Sequence, residues 1–172
     1  MKTQRILTLS LRIILVFLVL LAGAVVLFNR ALNNPKMIDI PTQVAGLVLT
    51  RSFSGQEAAV QVNTINGEDF TLTRAQVGYY GEDESVVIRV GGTPFAGATG
   101  EMLAIITTDL NSASGDLQLT GEQRDRGRSV YLLEDQSGQA HLYFQSERYL
   151  VWFSGPPELA EAALSDLLNF YP

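Results

Sequence analysis

Sixteen consecutive residues, Ile13 to Phe28 (IILVFLVLLAGAVVLF), carry no charge and no polar side chain. A segment apolar on every side cannot form the surface helix of a small soluble domain, which needs a polar face. As a helix it rises about 24 Å, against roughly 30 Å of bilayer hydrocarbon. Arg12 can extend its guanidinium to the interface, and Ile6 to Leu11 (ILTLSL) adds apolar length before it. The run therefore predicts a transmembrane segment over 13–28. Lys2, Arg5 and Arg12 precede it, while Arg30 and Lys36 follow. With the amino terminus added, this bias predicts a cytoplasmic basic N-terminus over 1–12 and a C-terminal domain outside the cell membrane. A cleaved signal peptide is the rival reading. Its small-x-small site would be Ala22-Gly23-Ala24, which lies inside the apolar run with four apolar residues after it. An uncleaved single-pass signal anchor fits better.

The charges divide at the same place. Five of the 12 Lys and Arg lie within residues 1–36, and all 18 Asp and Glu lie from Asp39 onward. Seven Arg against those 18 acids leave residues 37–172 at −11. A domain so acidic repels nucleic acid and anionic headgroups, so no nucleic-acid partner is expected, and the bilayer is met through residues 13–28. The chain has no Cys, which excludes disulfides, thiolate metal sites and thiol catalysis.

Asn29 to Pro41 (NRALNNPKMIDIP) holds two prolines and three asparagines and reads as a linker, 29–41. The domain, 42–172, then follows. Val44 to Thr50 reads as a first strand. Ser54-Gly55-Gln56-Glu57 has capping-box spacing, and Ala58, Val62 and Ile65 follow at helical spacing up to Asn66-Gly67. Phe70–Tyr80 and Ser85–Val90 read as a strand pair. After Gly91-Gly92-Thr93-Pro94, a second helix carries Met102, Ile105, Ile106 and Leu110 on one face. Four strands follow, Leu117–Glu122, Ser129–Leu133, Gln139–Gln145 and Tyr149–Phe153, joined by short polar turns. A last helix opens at Gly155-Pro156-Pro157-Glu158, with proline in the tolerated first turn. Successive hairpins imply a mainly antiparallel sheet, and the helical stripes need a sheet to bury them. The expected class is α+β, a sandwich of two or three layers with about three packed helices. In element order it is similar to the Mog1/PsbP-like sandwiches. That is an analogy of architecture and carries no function.

Candidate sites are few, and no catalytic or cofactor motif is present. His141 is the only histidine. A zinc site there would have carboxylates alone as its other ligands, and a Ser-His-Asp arrangement would lack the Gly-x-Ser-x-Gly elbow. A strand histidine hydrogen-bonded among aromatics is the simpler reading. The glycine-rich stretch Gly91–Gly100 precedes a helix but lacks both the P-loop ending and the dinucleotide fingerprint. Glu82-Asp83-Glu84 has calcium-type oxygens without the ligand spacing of a binding loop. Arg124, Arg126 and Arg128 are a possible anion site, or a charged hairpin turn. Six of the 15 aromatics fall between Val130 and Ser154. Tyr131, His141, Tyr143, Tyr149, Trp152 and Phe153 therefore form the possible interaction surface. The last two strands are apolar on both faces, so either helices cover both or one face binds something.

The function expected is a membrane-anchored, extracytoplasmic, non-catalytic domain that binds a partner protein or ligand. The alternatives are an anchored carboxylate-dependent hydrolase and a structural or assembly subunit of a membrane complex.

Overall fold

The computed structural model describes residues 2–66, 70–112 and 116–172. It divides into two compact units, Met1–Asn34 and Pro35–Pro172.

The first unit is one helix, α1 (Lys2–Asn33). Its stretch Ile13–Asn33, 21 residues, is long and apolar enough to cross a membrane, rising about 31 Å. Ile13 through Arg30 are all exposed. The helix thus runs through Asn29–Asn33, which the sequence reading assigns to the linker. Nothing between Phe28 and Asn33 breaks a helix already formed, and Asn34 N still donates to Arg30 O at 3.1 Å. The stop is Pro35, which disfavours helical geometry in the residue before it. The rest of the expected linker belongs to the domain. Pro35 and Ile38 are buried, and Lys36 bonds along the start of the third strand, its N to Thr73 O and its O from Ala75 N.

The second unit contains β1 (Gln43–Val44), β2 (Leu47–Ser54), α2 (Gln56–Asn66), β3 (Arg74–Tyr80), β4 (Val86–Gly92), α3 (Ala96–Ser112), β5 (Leu117–Asp125), β6 (Arg128–Asp135), β7 (Ala140–Ser146), β8 (Tyr149–Gly155) and α4 (Pro157–Phe170). The strands form one antiparallel sheet of eight, in the order β1-β2-β3-β4-β8-β7-β6-β5. Two runs of sequential neighbours therefore meet where β8 pairs with β4. The expected single strand from Val44 to Thr50 is instead a hairpin. Ala45 (φ 51°) and Gly46 (φ 79°) both take the left-handed conformation, which a two-residue turn between twisted strands requires. The expected helix end at Gly67 lies outside the described residues.

Helices cover both faces of the sheet. On one, α4 sets Ala163, Leu164, Leu167 and Leu168 against Ile88, Phe144, Val151 and Phe153. On the other, α2 and α3 bring Ala58, Val62, Met102 and Ile106 against Val77, Leu133, Tyr143, Leu150 and Trp152. The result is a three-layer α+β sandwich. Gly91 makes close approach of α2 possible, because a β-carbon there would lie 2.9 Å from Val62 Cγ1 and 3.2 Å from Leu72 Cδ2.

Because α4 sets four buried side chains into the core of its face, truncating its central contact should be costly. Leu167, fully buried, when changed to Ala should lower unfolding free energy by about 2–5 kcal/mol. Chemical denaturation of the full-length protein tests this, and a change below about 0.5 kcal/mol would show that α4 does not pack there.

Candidate functional site

Strand pairing brings one polar chain together on the α2/α3 face. His141 on β7 sits opposite Ser154 on β8, and Ser154 opposite Val87 on β4. Arg89, two residues along β4, reaches back to the same serine. Asp135 ends β6 and reaches the ring from the β6–β7 turn. The contacts run Arg89 Nη1 to Ser154 Oγ at 2.9 Å, Ser154 Oγ to His141 Nδ1 at 2.9 Å, and His141 Nε2 to Asp135 Oδ2 at 3.3 Å.

Trp152 sets the direction of this chain. Its indole N–H can only donate, and it lies 3.3 Å from His141 Nδ1. Nδ1 is therefore the unprotonated nitrogen, and Nε2–H donates to Asp135. Ser154 gives its hydroxyl proton to Nδ1 and accepts from Arg89. Each link pairs a donor with an acceptor, from Arg89 Nη1 at one end to the Asp135 carboxylate at the other. Asp135 is itself held by the turn, since its Oδ1 accepts from the N–H groups of Ser137 and Gln139 and from the Ser137 hydroxyl. These bonds, led by the Ser137 hydroxyl, pull its pKa down to about 2. Burial pushes the His141 pKa below its ordinary value, and the neighbouring Asp135 opposes this only in part. Burial also lowers that of Arg89, which stays charged because an arginine has no accessible neutral form in a protein.

The expected aromatic surface is corrected by burial. Tyr143, Trp152 and Phe153 are at most 2% exposed, and His141 is 7% exposed. Phe153 faces α4, while Tyr131, Tyr143 and Trp152 line up across β6, β7 and β8 on the opposite face. Their rings stack with centroids 4.9 Å apart in each pair. The Tyr143 hydroxyl meets Thr107 on α3 at 3.1 Å, and burial raises its pKa to about 12. Tyr149 is half-buried, tilted against Tyr171. These side chains are core, apolar on both faces because helices cover both.

The arginine hairpin also has an internal role. Arg128 donates to the carbonyls of Leu168 and Tyr171, and Arg126 donates to Asn169 Oδ1. Both thus hold the C-terminal end of α4, where cations are favoured and carbonyls lack helical partners. Arg124 lies exposed on the rim of a groove of about 630 Å³ floored by Leu132, Leu142 and Leu164. The three do not converge on one anion site. The glycine-rich stretch closes on itself, because Thr93 Oγ1 donates to Phe95 O and lies 2.6 Å from Thr99 Oγ1. In the acidic turn, Glu84 pairs with Arg51 at 2.8 Å, and Asp83 accepts from Ser85 N. Among the described residues no group of three His, Asp or Glu is placed to hold a metal ion.

Three members of the chain, Arg89, Ser154 and Asp135, are not singled out from sequence. The available signal was Arg89 itself, the one charge in the apolar run Val86–Val90. A charged residue in a strand covered on both faces needs a partner.

Comparison with protein-family models, with curated proteins and with solved structures finds no match to this chain. The analogy to Mog1/PsbP-like sandwiches thus gains no support from these comparisons.

The polar chain makes stability depend on pH in two steps. Unfolding frees His141 to bind a proton at its ordinary pKa of 6.5, above its folded value. Stability should be full above that pH and fall as pH drops from there toward the folded value. A second loss should follow between about pH 4 and 2, where the unfolded chain protonates Asp135 before the folded one does. Urea midpoints measured against pH should show the first step in the wild type and not in His141→Gln. Identical slopes in the two proteins from pH 7 to 5 would contradict it.

Proposed function

We propose that the protein is a membrane-anchored, extracytoplasmic domain that binds a ligand or partner and performs no catalysis. The observation that carries the anchor is α1. Its 21-residue apolar stretch Ile13–Asn33 has no buried residue in its most apolar window, and such a surface is stable only in lipid or against another apolar surface. The excess of Lys and Arg before the stretch supports an outward C-terminal domain. The binding role rests on the Arg89–Ser154–His141–Asp135 chain, which ends in a cation that forms no ion pair with a carboxylate among the described residues.

A second reading has its own observation. Ser154, His141 and Asp135 form the hydrogen-bonded sequence of a nucleophile, base and orienting acid. Three features disfavour it. Arg89 occupies a lone pair of the serine oxygen, Trp152 competes for the basic nitrogen, and Ser154 and His141 are at most 7% exposed. An active serine hydrolase would label with a fluorophosphonate, and Ser154→Ala would abolish that label. The proposal expects no labelling of Ser154 in the folded protein.

Alkaline carbonate treatment should leave the full-length protein in the membrane pellet, while Leu18→Arg combined with Leu21→Arg should release it. External protease should digest the domain in intact cells. Complete release of the wild type would remove the anchor, and protection equal to that of a cytoplasmic marker would reverse the orientation. Co-purification from mild detergent extracts separates an assembly subunit, which brings stoichiometric partners, from a receptor for small ligands.

A further inference from the structure

We propose that Arg89 is the receiving group of a binding site for a small oxyanion, a molecule bearing one carboxylate or phosphate group. The inference deepens the ligand-binding reading and rests on it. Arg89 is half-buried on a strand whose neighbours Ile88 and Val90 are fully buried. The ion pairs formed among the described residues are Arg51–Glu84, Arg126–Asp125 and His141–Asp135, and none includes Arg89. Among the described residues its one side-chain hydrogen bond is the 2.9 Å contact from Nη1 to Ser154 Oγ.

A guanidinium has five N–H donors in a rigid fork. With Nη1 turned to Ser154, the edge formed by Nε and Nη2 has no partner among the described residues. Those nitrogens are not sealed in the interior, because the buried side-chain atoms without partners among the described residues are Asn63 Oδ1 and Gln76 Oε1. This edge presents two parallel N–H groups, which match the two oxygens of a carboxylate or phosphate. A cation drawn out of bulk water and left without a counter-ion is unfavourable, and an anion seated on that edge removes the deficit.

The rest of the chain positions this fork. Ser154 is committed, its proton to His141 and its lone pair to Arg89, so it orients the guanidinium. His141 is held in one tautomer by Trp152 and Asp135. Ser154, His141 and Asp135 are thus positioning residues for Arg89. The acidity of the domain limits the ligand, since surface charge of the same sign as a polyanion repels it. A small monoanion that fits beside Ser154 meets the local cation with the least repulsion.

The molecule carries its own reporter. Trp152 is the only tryptophan, and its indole N–H bonds to the same His141 nitrogen that holds Ser154. The test is a titration of the full-length protein, in phosphatidylcholine nanodiscs, with inorganic phosphate and separately with acetate. Tryptophan emission is read against sodium chloride at matched ionic strength. A saturable change with either anion is expected. Arg89→Gln should weaken it at least about tenfold and Arg89→Lys, which keeps charge but loses the fork, by less. Arg51→Gln should leave it unchanged. Absence of a saturable change with both anions overturns the proposal, as does a change that Arg89→Gln leaves intact. Should Arg89→Gln fail to fold, judged by circular dichroism, the comparison rests on Arg89→Lys, and equal affinity to the wild type overturns it. Incorporation into nanodiscs is scored separately, so loss of the anchor and loss of anion binding are distinguishable.

Discussion

Strands β7 and β8 are apolar on both faces, and the rest of the domain follows from covering them. A sheet with one wet face alternates apolar and polar residues. From Leu150 to Phe153 there is no such alternation, so each side needs a lid. α4 provides one and the α2/α3 pair the other. This explains why β8, last in sequence among the strands, lies near the middle of the sheet beside β4. It also explains why the Tyr131–Tyr143–Trp152 stack belongs to the core. Arg126 and Arg128 serve the same end by holding the C-terminus of α4 in place.

Against this apolar background the Arg89–Ser154–His141–Asp135 chain stands out. Buried polar groups are tolerated when every donor finds an acceptor. Here the indole of Trp152 determines which way each hydrogen bond runs. One end closes in the Asp135 turn. The other ends on a guanidinium with one side-chain partner among the described residues. That asymmetry is the observation on which the proposed ligand recognition rests.

Most of the domain was legible in the sequence. Helices α2, α3 and α4 and the strands from β3 onward announced themselves through apolar periodicity and turn residues, and the alternatives for β8 included the observed one. The departures have physical causes. The end of α1 was missed because Asn and Arg were read as linker, although a long helix continues until a residue forbids it. β1 and β2 were merged because Ala45-Gly46 does not look like a favoured turn pair. The polar chain was half visible. His141 and its aromatic neighbours were noticed. Which serine, carboxylate and arginine would meet it depended on strand register between β4, β7 and β8, which pattern alone does not supply.

The direction of the polar chain underlies both the stability and the recognition claims, and the single histidine makes it directly observable. A long-range proton–nitrogen correlation spectrum of the ¹⁵N-labelled full-length protein at neutral pH reports which ring nitrogen of His141 carries the proton. The account predicts a neutral ring protonated at Nε2, with Nδ1 accepting from Ser154 and Trp152. A ring protonated at Nδ1, or a doubly protonated imidazolium at that pH, would contradict it.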